Sequence, residues 1–159
     1  MSLPNRSLSR HLCALAIVSS MTGCTSVPQA SDDRDADAKA FSTHPGSAAI
    51  YVYRPDFGYT STPAESVLWM DNRLIGSTLP RTFFRLDARP GKHVLHGDGH
   101  DTGRLALEVK AEELYFVSLS VSGGASRFAL VPADTGKGEL LRCCALMENW
   151  APGQRPLLR

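Results

Sequence analysis

The sequence predicts a mainly β fold: a small antiparallel β-sandwich with one C-terminal helix, preceded by a signal peptide and a flexible tether. Three observations predict the sandwich. Leu105, Leu107 and Val109 alternate with Ala106, Glu108 and Lys110, and Tyr115, Val117, Leu119 and Val121 alternate with Phe116, Ser118 and Ser120. That period of two is the signature of half-buried strands. Turn dipeptides separate the short apolar runs at Asp71-Asn72, Pro90-Gly91 and Gly123-Gly124, the punctuation of an all-β domain. Helical spacing of apolar residues instead occurs near the C-terminus, at Leu140, Leu141, Cys144 and Met147, before Pro152.

The first strand is read at Ile50-Tyr51-Val52-Tyr53, aromatic and β-branched, between Pro45-Gly46 and Arg54-Pro55. Ser66 to Met70 and Arg73 to Ile75 flank Asp71-Asn72; Asp and Asn tolerate the positive φ that a two-residue hairpin requires, so the pair predicts such a turn. Thr82 to Asp87 makes the next strand, and Arg89-Pro90-Gly91 the turn after it, with Pro and Gly in type II positions. His93 to His96 leads out of that turn, and Phe128 to Val131 forms the last strand before Pro132.

The N-terminus reads differently. Arg6, Arg10 and His11 precede an apolar stretch from Leu12 to Met21, and small Thr22 and Gly23 follow. This is the layout of a secretory signal. A membrane-spanning helix needs roughly 20 apolar residues, about twice this stretch. Cys24 directly after Thr22-Gly23 resembles the bacterial lipobox, with Met21 where Leu is usual. The resemblance implies acylation of Cys24 as the mature N-terminus, and Thr25 in place of Asp implies sorting to the outer membrane. Loss of residues 1–23 shortens the chain from 159 to 136 residues. It takes away Arg6 and Arg10 and no acidic residue, so the net charge moves from +1 to −1. Such a balance gives no basic field for nucleic acid.

From 24 to 47 the composition is Ser, Asp, Ala, Pro and Gln, with Asp32, Asp33, Asp35 and Asp37 clustered and Phe41 the main large apolar residue. Burial there does not offset ordering entropy, so a disordered tether is expected. About 20 free residues would hold the domain some 25 Å from the bilayer. The expected organisation is therefore leader 1–23, acylated Cys24 and tether to 47, sandwich 48–134, and C-terminal helix and tail 135–159.

Ile50-Tyr51-Val52-Tyr53-Arg54-Pro55, Asp71-Asn72-Arg73-Leu74-Ile75-Gly76, Phe83-Phe84 and Pro90-Gly91-Lys92-His93 together resemble the bacterial lipoprotein family catalogued as domain of unknown function 2846. The same residues are similar to PEGA-type β-sandwich repeats. The resemblance spans roughly residues 48 to 121. It implies a sandwich fold and an envelope location, and it supplies no catalytic residue.

Candidate chemistry is sparse. His96, Asp98 and His100 share strand parity and are metal-ligand types, which raises a periplasmic metal-binding alternative, although Gly97 and Gly99 make the stretch a turn. Cys143 and Cys144 are the thiols left once Cys13 departs with the leader and Cys24 is acylated. Adjacent helix positions point about 100° apart, so buried free thiols are the expectation. An intermolecular disulfide through Cys143 and a vicinal disulfide stay open. Tyr51, Tyr53, Trp69, Phe83 and Phe84 suit a core better than an exposed binding platform. Gly-x-Ser-x-Gly does not occur, nor a phosphate-binding Gly loop with its Lys. The expectation is a non-enzymatic envelope lipoprotein without cofactor beyond the lipid, partnered by the bilayer and by an envelope protein or cell-wall component.

Overall fold

The structure is a computed structural model, and it describes residues 29–55, 66–98 and 101–149. The expected leader, Cys24, His100, the loop at 56–65 and the tail from 150 lie outside these residues. Nine strands are described: β1 Ala48–Arg54, β2 Ser66–Met70, β3 Arg73–Thr78, β4 Thr82–Ala88, β5 Gly91–His96, β6 Arg104–Val109, β7 Leu114–Ser122, β8 Ala125–Val131 and β9 Ala145–Leu146. Helix α1 is Asp32–Lys39 and α2 is Ala133–Cys143.

The strands form two sheets, ordered β8-β7-β1-β4-β9 and β3-β2-β5-β6, so the predicted sandwich is present. Most neighbours are antiparallel, while β1–β7 and β4–β9 run parallel. Between the sheets, Ile50, Val52, Phe84, Leu86, Val117 and Leu119 meet Leu68, Met70, Ile75, Leu95, Leu107 and Val109. Strand alternation sends the neighbouring residues to the outer face of the five-stranded sheet. There Tyr51, Tyr53, Phe83 and Phe116 are also buried, with Ala38, Leu140 and Leu146. A helical layer covers that face, which is why every residue of β1 is buried. Four of the five aromatics expected in the core are fully buried in it, and Trp69 is half-buried.

Turn chemistry follows the sequence at Asp71-Asn72, whereas Pro90 is a bend and Gly91, at φ 137°, opens β5 instead of completing the expected type II turn. Asp71 and Asn72 both take positive φ, 51° and 61°, as a type I′ turn requires. Asp71 does more than turn the chain. Its carboxylate accepts the Val94 backbone N–H at 2.9 Å and lies 2.6 Å from His93 Nδ1. His93 Nε2 lies 2.8 Å from the Arg89 carbonyl, so one imidazole bridges the two predicted turns.

The expected disordered tether is corrected over residues 29–47, which pack as part of the domain. Helix α1 forms with Asp32, Asp33 and Asp35 in its first turn and Lys39 in its last, each charge placed favourably for the helix dipole. Lys39 pairs with Asp35 at 2.6 Å, one turn apart. Three apolar groups of this arm, Ala30, Ala38 and Phe41, face inward, while Ala36 and Ala40 are exposed. Ala30 and Ala38 are buried, and the Phe41 ring meets Tyr51 and Phe116 edge-on at 5.3 and 5.7 Å. Tyr51 donates its hydroxyl to the Ala38 carbonyl at 2.9 Å. Mean composition hides such docking because small alanines permit close backbone approach with little apolar area.

The C-terminal helix also differs in extent. Helix α2 starts at Ala133 and ends at Cys143, and Cys144 is extended at φ −125°, ψ 142°. Leu140 is buried, but Leu141 is 55% exposed, and Cys144 and Met147 are buried by the chain running on through β9. Gly136 lets the helix lie on the sheet, since a β-carbon there would collide with the Phe116 side chain. Cys143 and Cys144 are joined in a vicinal disulfide. The helix ends between them, and that change of direction removes the 100° separation on which the free-thiol expectation rested.

Candidate functional site

Strand β4 sends Phe84 and Leu86 into the sandwich and therefore Arg85 and Asp87 to the outer face. The arm crosses in front of them. Between arm and sheet lies a cleft of about 350 Å³ lined by Arg34, Asp37, His44, Arg85 and Asp87 together with residues 146–149. Arg85 is largely buried and donates to the Ser42 carbonyl at 2.9 Å and to Asp87 Oδ1 at 3.2 Å. Its Nε is buried without a hydrogen-bond partner among the described residues. His44 Nε2 stands 3.7 Å from the second Asp87 oxygen, and Arg34 pairs with Glu148 across the cleft.

The cleft thus presents guanidinium groups beside carboxylates, with Arg34 paired to Glu148 and Arg85 to Asp87. Sequence reasoning missed it. The polar pair Arg85 and Asp87 within an apolar strand was the available signal, but the wall opposite comes from the arm, which was expected to be disordered.

Backbone hydrogen bonds lock that wall in place. The Ala30 N–H donates to the Leu146 carbonyl at 2.9 Å, and the Ala145 and Met147 N–H groups donate to Arg81 and Phe83 of the neighbouring chain segment. Asp35 Oδ1 accepts the Leu146 N–H at 2.7 Å, and Gln29 bridges to Met147. On the far side of the arm, Tyr53 donates to Glu139 of α2 at 2.5 Å.

The His/Asp loop has a different geometry from the one expected. Strand β5 stops at His96, so the shared parity of His96, Asp98 and His100 does not extend past it. Asp98 is exposed in a bend, and His100 is outside the described residues. Among the described residues no three metal-ligand side chains come together. His96 stacks on its cross-strand partner Trp69 with ring centroids 6.1 Å apart, and its Nδ1 lies 2.6 Å from the Gly97 carbonyl. Its Nε2 and the Trp69 Nε1 are buried without a partner among the described residues.

Asp101, not singled out from the sequence, holds this loop. Its Oδ1 accepts the N–H groups of Gly103 at 2.9 Å and Ser126 at 2.7 Å. Ser126 Oγ is 2.6 Å from Ser66 Oγ, so the network ties β8 of one sheet to β2 of the other. Burial pushes the Asp101 carboxyl up, but hydrogen bonds from Ser126, Gly103 and Ser66 together bring it below the ordinary value. A β-carbon at Gly103 would strike the Ser126 backbone, which explains glycine there.

Fold and cleft define a two-sheet β-sandwich with a helical layer on one face and a charged cleft at the sheet's β9 edge. No family model matches the chain. It is similar to an uncharacterized protein of Haemophilus influenzae, 25% identical over 123 residues that cover 74% of this chain and 72% of that protein.

Proposed function

We propose that the chain is a lipid-anchored lipoprotein of the bacterial cell envelope, facing the periplasm from the outer membrane, whose sandwich is a non-catalytic binding and structural module. The observation that carries this reading is Thr22-Gly23-Cys24 directly behind a basic and then apolar leader. The module's partners are an envelope protein or a cell-wall component. Two or more acyl chains on Cys24 give stable anchoring. In cell fractionation, the native chain should pellet with outer membranes, and Cys24→Ser should appear in the soluble fraction. A Cys24→Ser chain that stays on membranes defeats the reading.

A second reading is a periplasmic metal-binding protein using His96, Asp98 and His100, favoured by the buried Nε2 of His96, which has no hydrogen-bond partner among the described residues. Elemental analysis of the purified protein beside His96→Ala decides it: stoichiometric zinc or copper lost in the variant supports it, and no metal in either removes it.

A further inference from the structure

We infer that the β9 edge of the five-stranded sheet rests against the headgroup layer of the bilayer that takes the Cys24 acyl chains. The inference builds on the anchor reading above and adds which surface meets the membrane. Docking of the arm is what carries it. Were residues 24–47 a free tether, the contour length to Ala48 would be about 80 Å at ~3.5 Å per residue. The arm instead joins the domain at Gln29, which bridges to Met147, and at Ala30, which donates to Leu146. Only five residue steps separate Cys24 from Gln29, a span of at most about 18 Å. The domain edge that holds Gln29 is therefore kept close to the acylated cysteine.

One transverse row gives the opposite edge. Leu146, Phe83, Tyr53, Ser118 and Ala129 are successive register partners across β9, β4, β1, β7 and β8. Four interstrand steps of about 4.8 Å put Ala129 some 19 Å from Leu146. The β9 edge also carries the cleft, with Arg34, Arg85, Asp37, Asp87 and Glu148 around it. Charges of both signs suit headgroups that bear a phosphate and an amine.

The test uses the full mature, acylated chain in vesicles of phosphatidylethanolamine and phosphatidylglycerol with an acceptor dye on the headgroups. A donor dye is attached to a single introduced thiol under non-reducing conditions, in Asn149→Cys at the β9 edge or Ala129→Cys at the β8 edge, both exposed. Energy transfer should be higher from position 149, by roughly twofold, as follows from a ~19 Å difference in height. Inserting about twenty Gly/Ser residues between Pro28 and Gln29 should abolish the difference. Equal transfer from both positions of the uninserted, acylated chain, or greater transfer from 129, overturns the inference and leaves the anchor reading standing. Failure of the native chain to associate with vesicles, with Cys24 unmodified by mass spectrometry, overturns both.

Discussion

Two polar residues, the half-buried Asp101 and the buried Tyr51, contribute stability that depends on pH at opposite ends of the range. Asp101 accepts two backbone N–H groups that stitch the β5–β6 loop to β8. Hydrogen bonds to a charged group contribute roughly 1.5–3 kcal/mol, so Asp101→Ala should lower unfolding stability in urea by about 2 kcal/mol at pH 7. The native carboxyl is held below its ordinary 3.8. Its contribution is therefore present above that value and lost as pH falls through the folded-state value. The difference between native and variant should close in that acid range, and a gap independent of pH contradicts the assignment. Tyr51 works at the alkaline end. Burial pushes its hydroxyl up to about 12 from 10, opposed by Arg85. Stability from the neutral phenol is complete below pH 10 and is lost as pH rises through 12. Tyr51→Phe should cost about 1 kcal/mol at pH 7 through the lost bond to Ala38 and should unfold less steeply in alkali.

The arm and the α2–β9 junction are the elements that composition and periodicity describe least well. Hairpin Asp71-Asn72 and the alternating strands were legible because local backbone chemistry alone decides them: φ > 0 at two residues, and a period of two. Helix α1 was not legible, since its stability rests on tertiary contacts of Ala30, Ala38 and Phe41 with a face built from about 10 to more than 100 residues later in the chain. Phe116 was placed opposite the core side of β7 by parity, and it is buried because a second, helical layer covers that side. Arg85 and Asp87 became part of a site for the same reason. Replacing Ala38 by Asp should undock the arm by burying an unpaired charge; we expect limited proteolysis to cut within 29–47 in that variant and not in the native chain. The vicinal disulfide encloses the shortest possible loop, so its effect on the unfolded chain is small, about 1 kcal/mol. Intact mass should be two hydrogens lighter than that of the reduced protein, and reduction should shift the urea midpoint only slightly. Full reactivity of both thiols in the unreduced, unfolded protein contradicts the bond.

At the scale of the whole molecule, the described residues form a sandwich sealed on one face by α1 and α2, entered at the edge where the chain arrives from Cys24. That arrangement turns an acidic, low-complexity stretch from a spacer into one wall of a charged cleft. It also shortens the link to the proposed anchor from 24 residues to a few. The central claim is the acylated cysteine, and the most direct measurement is tandem mass spectrometry of the N-terminal peptide from protein extracted out of membranes. The expected peptide begins at Cys24 and carries a diacylglyceryl group, with or without a third acyl chain. A chain that retains residues 1–23, or begins elsewhere with an unmodified Cys24, contradicts the account.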